Sequence, residues 1–102
     1  MAPDTTDEWR TPSTDALFDT VMRLEGREEL QRFFRDLCTR HELEELSARW
    51  TVVQLLDDGL SYRRIAEATG VSTTTVTRIN EWLNHGTGGY RIALQRLKER
   101  QA

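Results

Sequence analysis

The chain has 102 residues, enough for one domain with a modest hydrophobic core. Its 14 basic and 17 acidic residues give a net charge of −3, which argues against unspecific, charge-driven binding to nucleic acid. The single cysteine, Cys38, excludes an internal disulfide and fits a reducing, cytoplasmic location. No apolar run approaches the roughly 20 residues that span a bilayer, so no membrane partner is expected.

Residues 1–12 differ in composition from the rest of the chain. They are polar and acidic and lack the apolar centre of a signal peptide, so we expect a disordered tail. From residue 13 to residue 102, apolar residues recur at helical spacing and no segment alternates with the period of a strand. We therefore predict a single all-α domain of six helices.

The first two predicted helices are short. Ser13 or Thr14 is expected to cap the first, and Glu28 and Glu29 open the second after an interruption at Gly26. The third begins after a capping box, a reciprocal pair of hydrogen bonds, between Thr39 and Glu42, and ends near Gly59. Its apolar face is predicted to comprise Leu43, Leu46, Trp50, Val53 and Leu56.

The fourth and fifth helices, at about residues 61–84, form a predicted helix-turn-helix. Ser61 and Ser72 cap them, and Gly70 lies in the turn, where a positive φ is often required. After a glycine-rich loop at residues 85–89, the last helix runs from Tyr90 to about Arg100. The apolar residues that join these helices are predicted to be Ile65, Ala66, Val71, Val76 and Ile79, with Ile92, Ala93 and Leu97 on the last helix.

The outward surface of the helix-turn-helix carries hydroxyls and arginines rather than good helix formers. In this motif the N-terminal end of the second helix enters the major groove, where hydroxyls and arginines contact bases and phosphates. The alternatives are a solvated helix face for the threonines and pairing with Glu67 for Arg63 or Arg64. The predicted DNA-binding residues are Arg63, Arg64, Ser72, Thr73, Thr74, Thr75, Thr77 and Arg78.

Enzymatic activity is not indicated. His41 and His85 are far apart and do not have the spacing of a metal motif, so we predict no catalytic residue, metal or cofactor. Large apolar groups are numerous for so short a chain, which favours a close-packed homodimer that buries them. These groups are Phe18, Phe33, Phe34, Trp50 and Trp82.

About three quarters of the chain resembles the Trp-repressor superfamily, and within it the small TrpR-related proteins of the YerC/YecD group. The resemblance is carried by Arg32-Phe-Phe-Arg-Asp-Leu-Cys-Thr39, Glu42-Leu-Glu-Glu-Leu-Ser-Ala-Arg49, Ile65-Ala66, Thr75-Val-Thr-Arg78 and Leu83-Asn-His-Gly-Thr-Gly-Gly-Tyr90. It implies an intertwined, six-helix homodimer and a bacterial transcriptional regulator. It also implies that Arg63 and Thr75 touch operator DNA.

The resemblance also locates a possible effector pocket. Thr39, Arg49 and Arg78 match positions that form the tryptophan pocket in the true repressor. This chain has Ile79 and Trp82 where the repressor has small residues, and it is one residue shorter between Gly59 and Ser61. Two large side chains would fill the space that an indole needs, so we do not expect L-tryptophan as corepressor. The Trp82 side chain would then fill the pocket itself and hold the second helix of the helix-turn-helix in place without a ligand.

These observations favour a sequence-specific regulator that binds a double-stranded DNA operator as a homodimer, with repression the expected outcome. Two alternatives remain open. The helix-turn-helix could dock another protein, which the acidic charge balance would suit. The pocket around Thr39, Arg49 and Arg78 could instead bind an unidentified small effector.

Overall fold

The computed structural model describes residues 2–101, so Met1 and Ala102, the outermost residues of the predicted tail and domain, lie outside it. Within that range the chain forms six α-helices, a short 3-10 turn at Asp7–Trp9 and no strand, which confirms the all-α, six-helix prediction. The helices are α1 (Pro12–Arg23), α2 (Gly26–Leu37), α3 (Arg40–Asp57), α4 (Tyr62–Thr69), α5 (Thr73–His85) and α6 (Gly89–Gln101).

Thr11 caps α1, so the prediction that Ser13 or Thr14 does so is wrong. The Thr14 N–H donates to the Thr11 hydroxyl over 3.1 Å, and the Thr11 N–H donates to the Thr14 hydroxyl over 2.8 Å. Pro12 follows the cap because its fixed φ and missing N–H suit the first helical position. The disorder expected for residues 1–12 stays a prediction. The 3-10 turn at Asp7–Trp9 lies in this segment.

Both ends of α3 confirm their predictions. The Thr39 N–H donates to the Glu42 carboxylate over 2.9 Å, and the Glu42 N–H donates to the Thr39 hydroxyl over 3.1 Å. At the other end Gly59 has φ +87°, and the N–H groups of Gly59 and Leu60 bond to the carbonyls of Leu56 and Leu55. This is the Schellman ending, which favours glycine because the left-handed φ costs it little.

The chain separates into two compact units. The C-terminal unit comprises residues 46–101 together with residues 2–5, and the N-terminal unit is Thr6–Glu45. The C-terminal unit contains every buried side chain of the described residues, and half-buried neighbours such as Trp50, Leu60 and Val71 pack around them. These buried side chains are Val52, Val53, Ile65, Val76, Ile79, Leu83 and Leu94. The single-domain assignment for residues 13–102 stays a prediction.

Two apolar faces differ from their predictions. On α3, Leu46 is 51% exposed, whereas the adjacent Val52 and Val53 are both buried. Neighbouring helical positions lie about 100° apart, so packing partners cover a wide arc of α3 here. On α6 the buried residue is Leu94 rather than Ile92, which is 58% exposed. The core-facing residues of α6 are therefore Tyr90, Ala93 and Leu94, at i, i+3 and i+4, whereas Leu97, which was also predicted to face the core, is 38% exposed.

Polar contacts hold α6 against the ends of α3 and α5. Asp57, whose side chain is 16% exposed, lies 3.0 Å from Lys98 Nζ and 3.9 Å from Arg91 Nη1. Arg91 also donates to Asn84 Oδ1 over 2.8 Å, and Asn84 donates to the carbonyl of Asn80. The C-terminal end of α5 is thereby linked to α6. The single cysteine, Cys38, is half-buried. Every helix within residues 2–101 is too short or too polar to cross a bilayer.

Candidate DNA-binding surface

The short helix α4 packs on the core through Ile65, which is fully buried. Ser61 caps it, since the Ser61 hydroxyl accepts the N–H of Arg64 over 3.2 Å. Arg63 and Arg64 follow in the first turn, and both side chains are exposed. The cap therefore fixes the backbone from which these two arginine side chains project into solvent.

The turn between α4 and α5 is closed by local hydrogen bonds. Gly70 has φ +76°, and its N–H donates to the Ala66 carbonyl over 2.9 Å. The Thr69 hydroxyl donates to the Ile65 carbonyl over 2.7 Å and accepts the N–H of Val71 over 3.2 Å. A turn so constrained holds α4 and α5 in one arrangement, as a helix-turn-helix requires.

Helix α5 has a buried face and a polar exposed face. Ser72 caps the helix by accepting the N–H of Thr75 over 3.2 Å. Val76, Ile79 and Leu83 are buried at i, i+3 and i+7, so the positions between them point away from the core. The exposed residues of the first two turns are Thr73, Thr74, Thr77 and Arg78, while Thr75 is half-buried beside the cap.

The three arginines of this surface differ in their partners. Arg63 Nε lies 3.2 Å from Glu67 Oε1, an exposed pair at i, i+4. The side chains of Arg64 and Arg78 form no hydrogen bond or ion pair with any residue that the structure describes. Residues 59–80 contain three arginines and one glutamate as their only charged residues, so this segment carries a net positive charge in a chain of net charge −3.

The structure places the predicted pocket residues in different surroundings. Ile79 is buried in the core, whereas Arg49 and Arg78 are exposed and Trp82 is 41% exposed. The Thr39 hydroxyl accepts the N–H of Glu42 at the start of α3, so Thr39 has a local structural role. Hydrogen bonds from the Thr39 N–H and hydroxyl lower the pKa of the Glu42 carboxyl.

Trp82 forms one wall of a cavity of about 300 Å³, lined also by Thr87, Gly89 and Tyr90. Thr87, Gly89 and Tyr90 were not among the predicted site residues, although the glycine-rich loop after Trp82 was a signal. A Cβ added at Gly86 would collide with the Trp82 carbonyl and lie 2.9 Å from Trp82 Cε3. The loop therefore passes over Trp82 closely enough to require glycine.

Comparison with known proteins identifies the family to which this chain belongs. Residues 12–98 match the family model described as Trp repressor protein. The uncharacterized protein YerC of Bacillus subtilis is 41% identical over 93 residues, which cover 91% of this chain and 89% of YerC. The chain is a member of the Trp repressor family.

Two crystal structures of related proteins agree with this assignment. A TrpR-like protein from Eubacterium eligens is 36% identical with a TM-score of 0.86, and the match covers 91% of this chain and 96% of that one. A protein from Staphylococcus aureus described as a candidate Trp repressor is 37% identical with a TM-score of 0.84, with coverage of 90% and 92%. The TrpR-related, YerC-group resemblance predicted from the sequence is thus confirmed.

Members of the Trp repressor family are DNA-binding regulators and not enzymes, which agrees with the prediction that this chain is not an enzyme. Among the described residues, no group of His, Cys, Asp or Glu is arranged to hold a metal ion. The contributions of individual residues to DNA binding and to an effector pocket stay predictions.

Proposed function

We propose that this Trp repressor family member is a sequence-specific transcriptional regulator that binds operator DNA through α4 and α5. The observation that carries the proposal is the exposed face of α5, where threonine hydroxyls and Arg78 project from a helix fixed to the core. Exposed hydroxyls and unpaired guanidinium groups suit phosphates and base edges. As a bacterial regulator of this family, the protein would act in the cytoplasm on genomic DNA, with repression the expected effect.

The working form in this proposal is a homodimer. Within the N-terminal unit no described residue is fully buried, and Phe18, at 51%, and Met22 are exposed. Helix α2 and the start of α3 also border an apolar groove of about 420 Å³, lined by Leu30, Gln31, Phe34, Arg35 and Leu43. A second copy that covers these side chains would remove the apolar surface from water. A two-fold dimer would also present two α5 helices to successive major grooves, roughly 34 Å apart.

The proposed regulator does not depend on L-tryptophan. Ile79 is buried among the core residues, so its side chain occupies space rather than lining an open pocket. Trp82 supplies a second large group on the same helix, where the repressor's pocket has a small one. Arg49 and Arg78 would then bind phosphate or serve the structure rather than clamp an amino acid.

The test is selection of genomic DNA fragments by the purified protein at moderate salt, with and without L-tryptophan, followed by sequencing. A palindromic motif recovered equally in both arms is the expected result. A motif that requires tryptophan would overturn the ligand independence. No motif in either arm would overturn the operator function and favour a protein-interaction module or a regulator that requires another effector.

Arginine variants test the surface itself. Arg64→Ala and Arg78→Ala should each weaken operator binding by about 1–3 kcal/mol, because each removes a charged hydrogen bond to DNA. Arg63→Ala should cost less, because Arg63 must first leave Glu67. Arg96→Ala on α6, which removes an exposed arginine already paired with Glu99, is the matched control and should bind as the wild type. Equal affinities for all four variants and the wild type, in a titration monitored by fluorescence anisotropy, would reject this surface.

A further inference from the structure

The end of α5 that would enter the groove carries only hydroxyl-bearing polar side chains over residues 72–77. Their hydrogen bonds differ. Ser72 donates to the Thr75 hydroxyl over 3.0 Å, and Thr77 donates to the Thr73 carbonyl over 2.9 Å. The hydroxyls of Thr73 and Thr74 form no hydrogen bond with any residue in the described range, and both side chains are exposed.

This composition limits which bases the helix can distinguish. Two-point recognition of guanine needs arginine or lysine, and that of adenine needs asparagine or glutamine. Residues 72–77 contain none of these. Arg78 follows one turn after Thr74, and Asn80 is half-buried with its side-chain oxygen accepting a hydrogen bond from Asn84 over 3.1 Å. Arg78 is therefore the only residue of α5 whose side chain has the chemistry for two-point recognition of guanine.

The two groups on a threonine side chain carry different information. A freely rotating hydroxyl donates or accepts a single hydrogen bond and suits several bases and the phosphates. The γ-methyl group, in contrast, makes a favourable apolar contact in the major groove with one base feature, the C5-methyl of thymine. An exposed pair of threonines at the tip of α5 thus favours thymine over the other three bases.

We propose that Thr73 and Thr74 recognise thymine in each operator half-site by packing their γ-methyl groups against its C5-methyl. The proposal rests on the DNA-binding function proposed above and specifies which base feature that surface reads. Burial of one methyl group corresponds to about a three- to fivefold change in affinity. A few such contacts, repeated in two half-sites, would give a clear preference without any two-point hydrogen bonding by these residues.

The test uses the motif recovered by selection and replaces each thymine in turn by deoxyuridine, which lacks only the C5-methyl. Wild-type protein should lose about three- to fivefold in affinity at one or two thymines per half-site. Thr73→Val or Thr74→Val keeps the γ-methyl and should keep that sensitivity. Thr73→Ser or Thr74→Ser removes the methyl and should bind thymine and deoxyuridine duplexes alike at the contacted position.

Arg78→Ala is the control, since it should weaken binding to thymine and deoxyuridine duplexes by the same factor. A recovered motif that is insensitive to deoxyuridine at every position overturns this proposal and leaves the operator function standing. Sensitivity that survives in the serine variants but disappears in the valine variants also overturns it, because the hydroxyl would then be the reader. If no motif is recovered, both the operator function and this proposal fail. Thermal melts of the variants would check that the exposed substitutions leave the fold intact.

Discussion

The C-terminal and N-terminal units are built from similar helices but hold them together in different ways. In the C-terminal unit, α3, α4, α5 and α6 contribute seven buried apolar side chains to one core. In the N-terminal unit, the described ion pairs of α2 and α3 run along a single helix at i, i+4 and are exposed. They join Arg32 to Glu28 at 3.0 Å and Arg40 to Glu44 at 3.1 Å, and His41 Nε2 lies 3.0 Å from Glu45 Oε1 in the same arrangement.

The difference shows which parts of the fold one chain can stabilise alone. Exposed i, i+4 pairs contribute only about 0.2–0.5 kcal/mol each, and helices of about 12 residues are marginal in water. The ring contact of Phe33 with Phe34, at 5.7 Å between centroids, adds a local interaction within α2 but leaves both rings half-buried. The N-terminal unit therefore needs a further surface to cover it, and in our proposal a second copy supplies that surface.

The largest expected effect comes from removing the centre of the core. Ile65→Ala should lower the free energy of unfolding by about 2–5 kcal/mol, since Ile65 is fully buried and a cavity would remain. Phe34→Ala, in the groove of the N-terminal unit, should instead weaken the dimer. The measurement combines thermal melts at low and high protein concentration with light scattering.

The two variants should behave differently on dilution. Below its lowered Tm, Ile65→Ala should keep the dimeric mass of the wild type. Phe34→Ala should show a monomer population at concentrations where the wild type is dimeric, and its Tm should fall further as the protein is diluted. If Phe34→Ala keeps both the dimeric mass and the wild-type Tm, the N-terminal unit does not depend on a second copy as proposed.

Features that depend on a few neighbouring residues could be predicted from the sequence. The capping box of Thr39 and Glu42, the caps at Ser61 and Ser72 and the turn at Gly70 all follow from local hydrogen bonding or backbone conformation. The exposed face of α5 was also predictable, because Val76 and Ile79 recur at helical spacing and so fix which side of the helix faces the core.

Features that depend on tertiary contacts could not be predicted. The burial of Val52 and Leu94 reflects how the helices of the C-terminal unit surround α3 and α6, which helical periodicity alone does not specify. Thr11, in contrast, was predictable and was missed, since a threonine directly before Pro12 is a recognised start signal for a helix.

A second, smaller effect tests how tightly the C-terminal unit is packed. Gly86→Ala should lower the free energy of unfolding by about 1–3 kcal/mol, because the new methyl group would overlap Trp82. Gly89→Ala is the matched control: a Cβ there meets nothing within 4 Å, and φ lies outside the left-handed region. That control should be neutral or stabilising by up to about 1 kcal/mol.

Urea denaturation and Trp82 fluorescence would measure both effects, with Trp9 and Trp50 replaced by phenylalanine so that the signal comes from one ring. A shift in the Trp82 emission in the Gly86 variant alone would show that the loop positions this side chain. Equal stabilities for the two alanine variants would mean that the loop can move away from Trp82, and the contrast in packing between the two units would be weaker than we infer.

The smallest effect concerns the N-terminal unit, where local hydrogen bonds replace core packing. Thr39→Ala should lower the free energy of unfolding by about 0.5–2 kcal/mol, because it removes the hydroxyl that caps α3. Thr39→Ser keeps that hydroxyl and is the control, expected to remain close to the wild type. If the serine variant loses as much stability as the alanine variant, the methyl group rather than the cap is responsible.

The same substitution has a pH signature. The Thr39 N–H and then the Thr39 hydroxyl hold the pKa of Glu42 below its usual value in the folded protein. A carboxyl with a lower pKa in the folded state stabilises the protein at neutral pH, and that contribution is lost as the pH falls through the lowered pKa. In Thr39→Ala the backbone N–H remains, so the pKa of Glu42 should rise only part of the way, as NMR titration of its carboxyl carbon would show. A fully normal pKa in that variant would mean that the whole start of α3 had frayed, and the N-terminal unit would then depend on this cap more than on any other local contact.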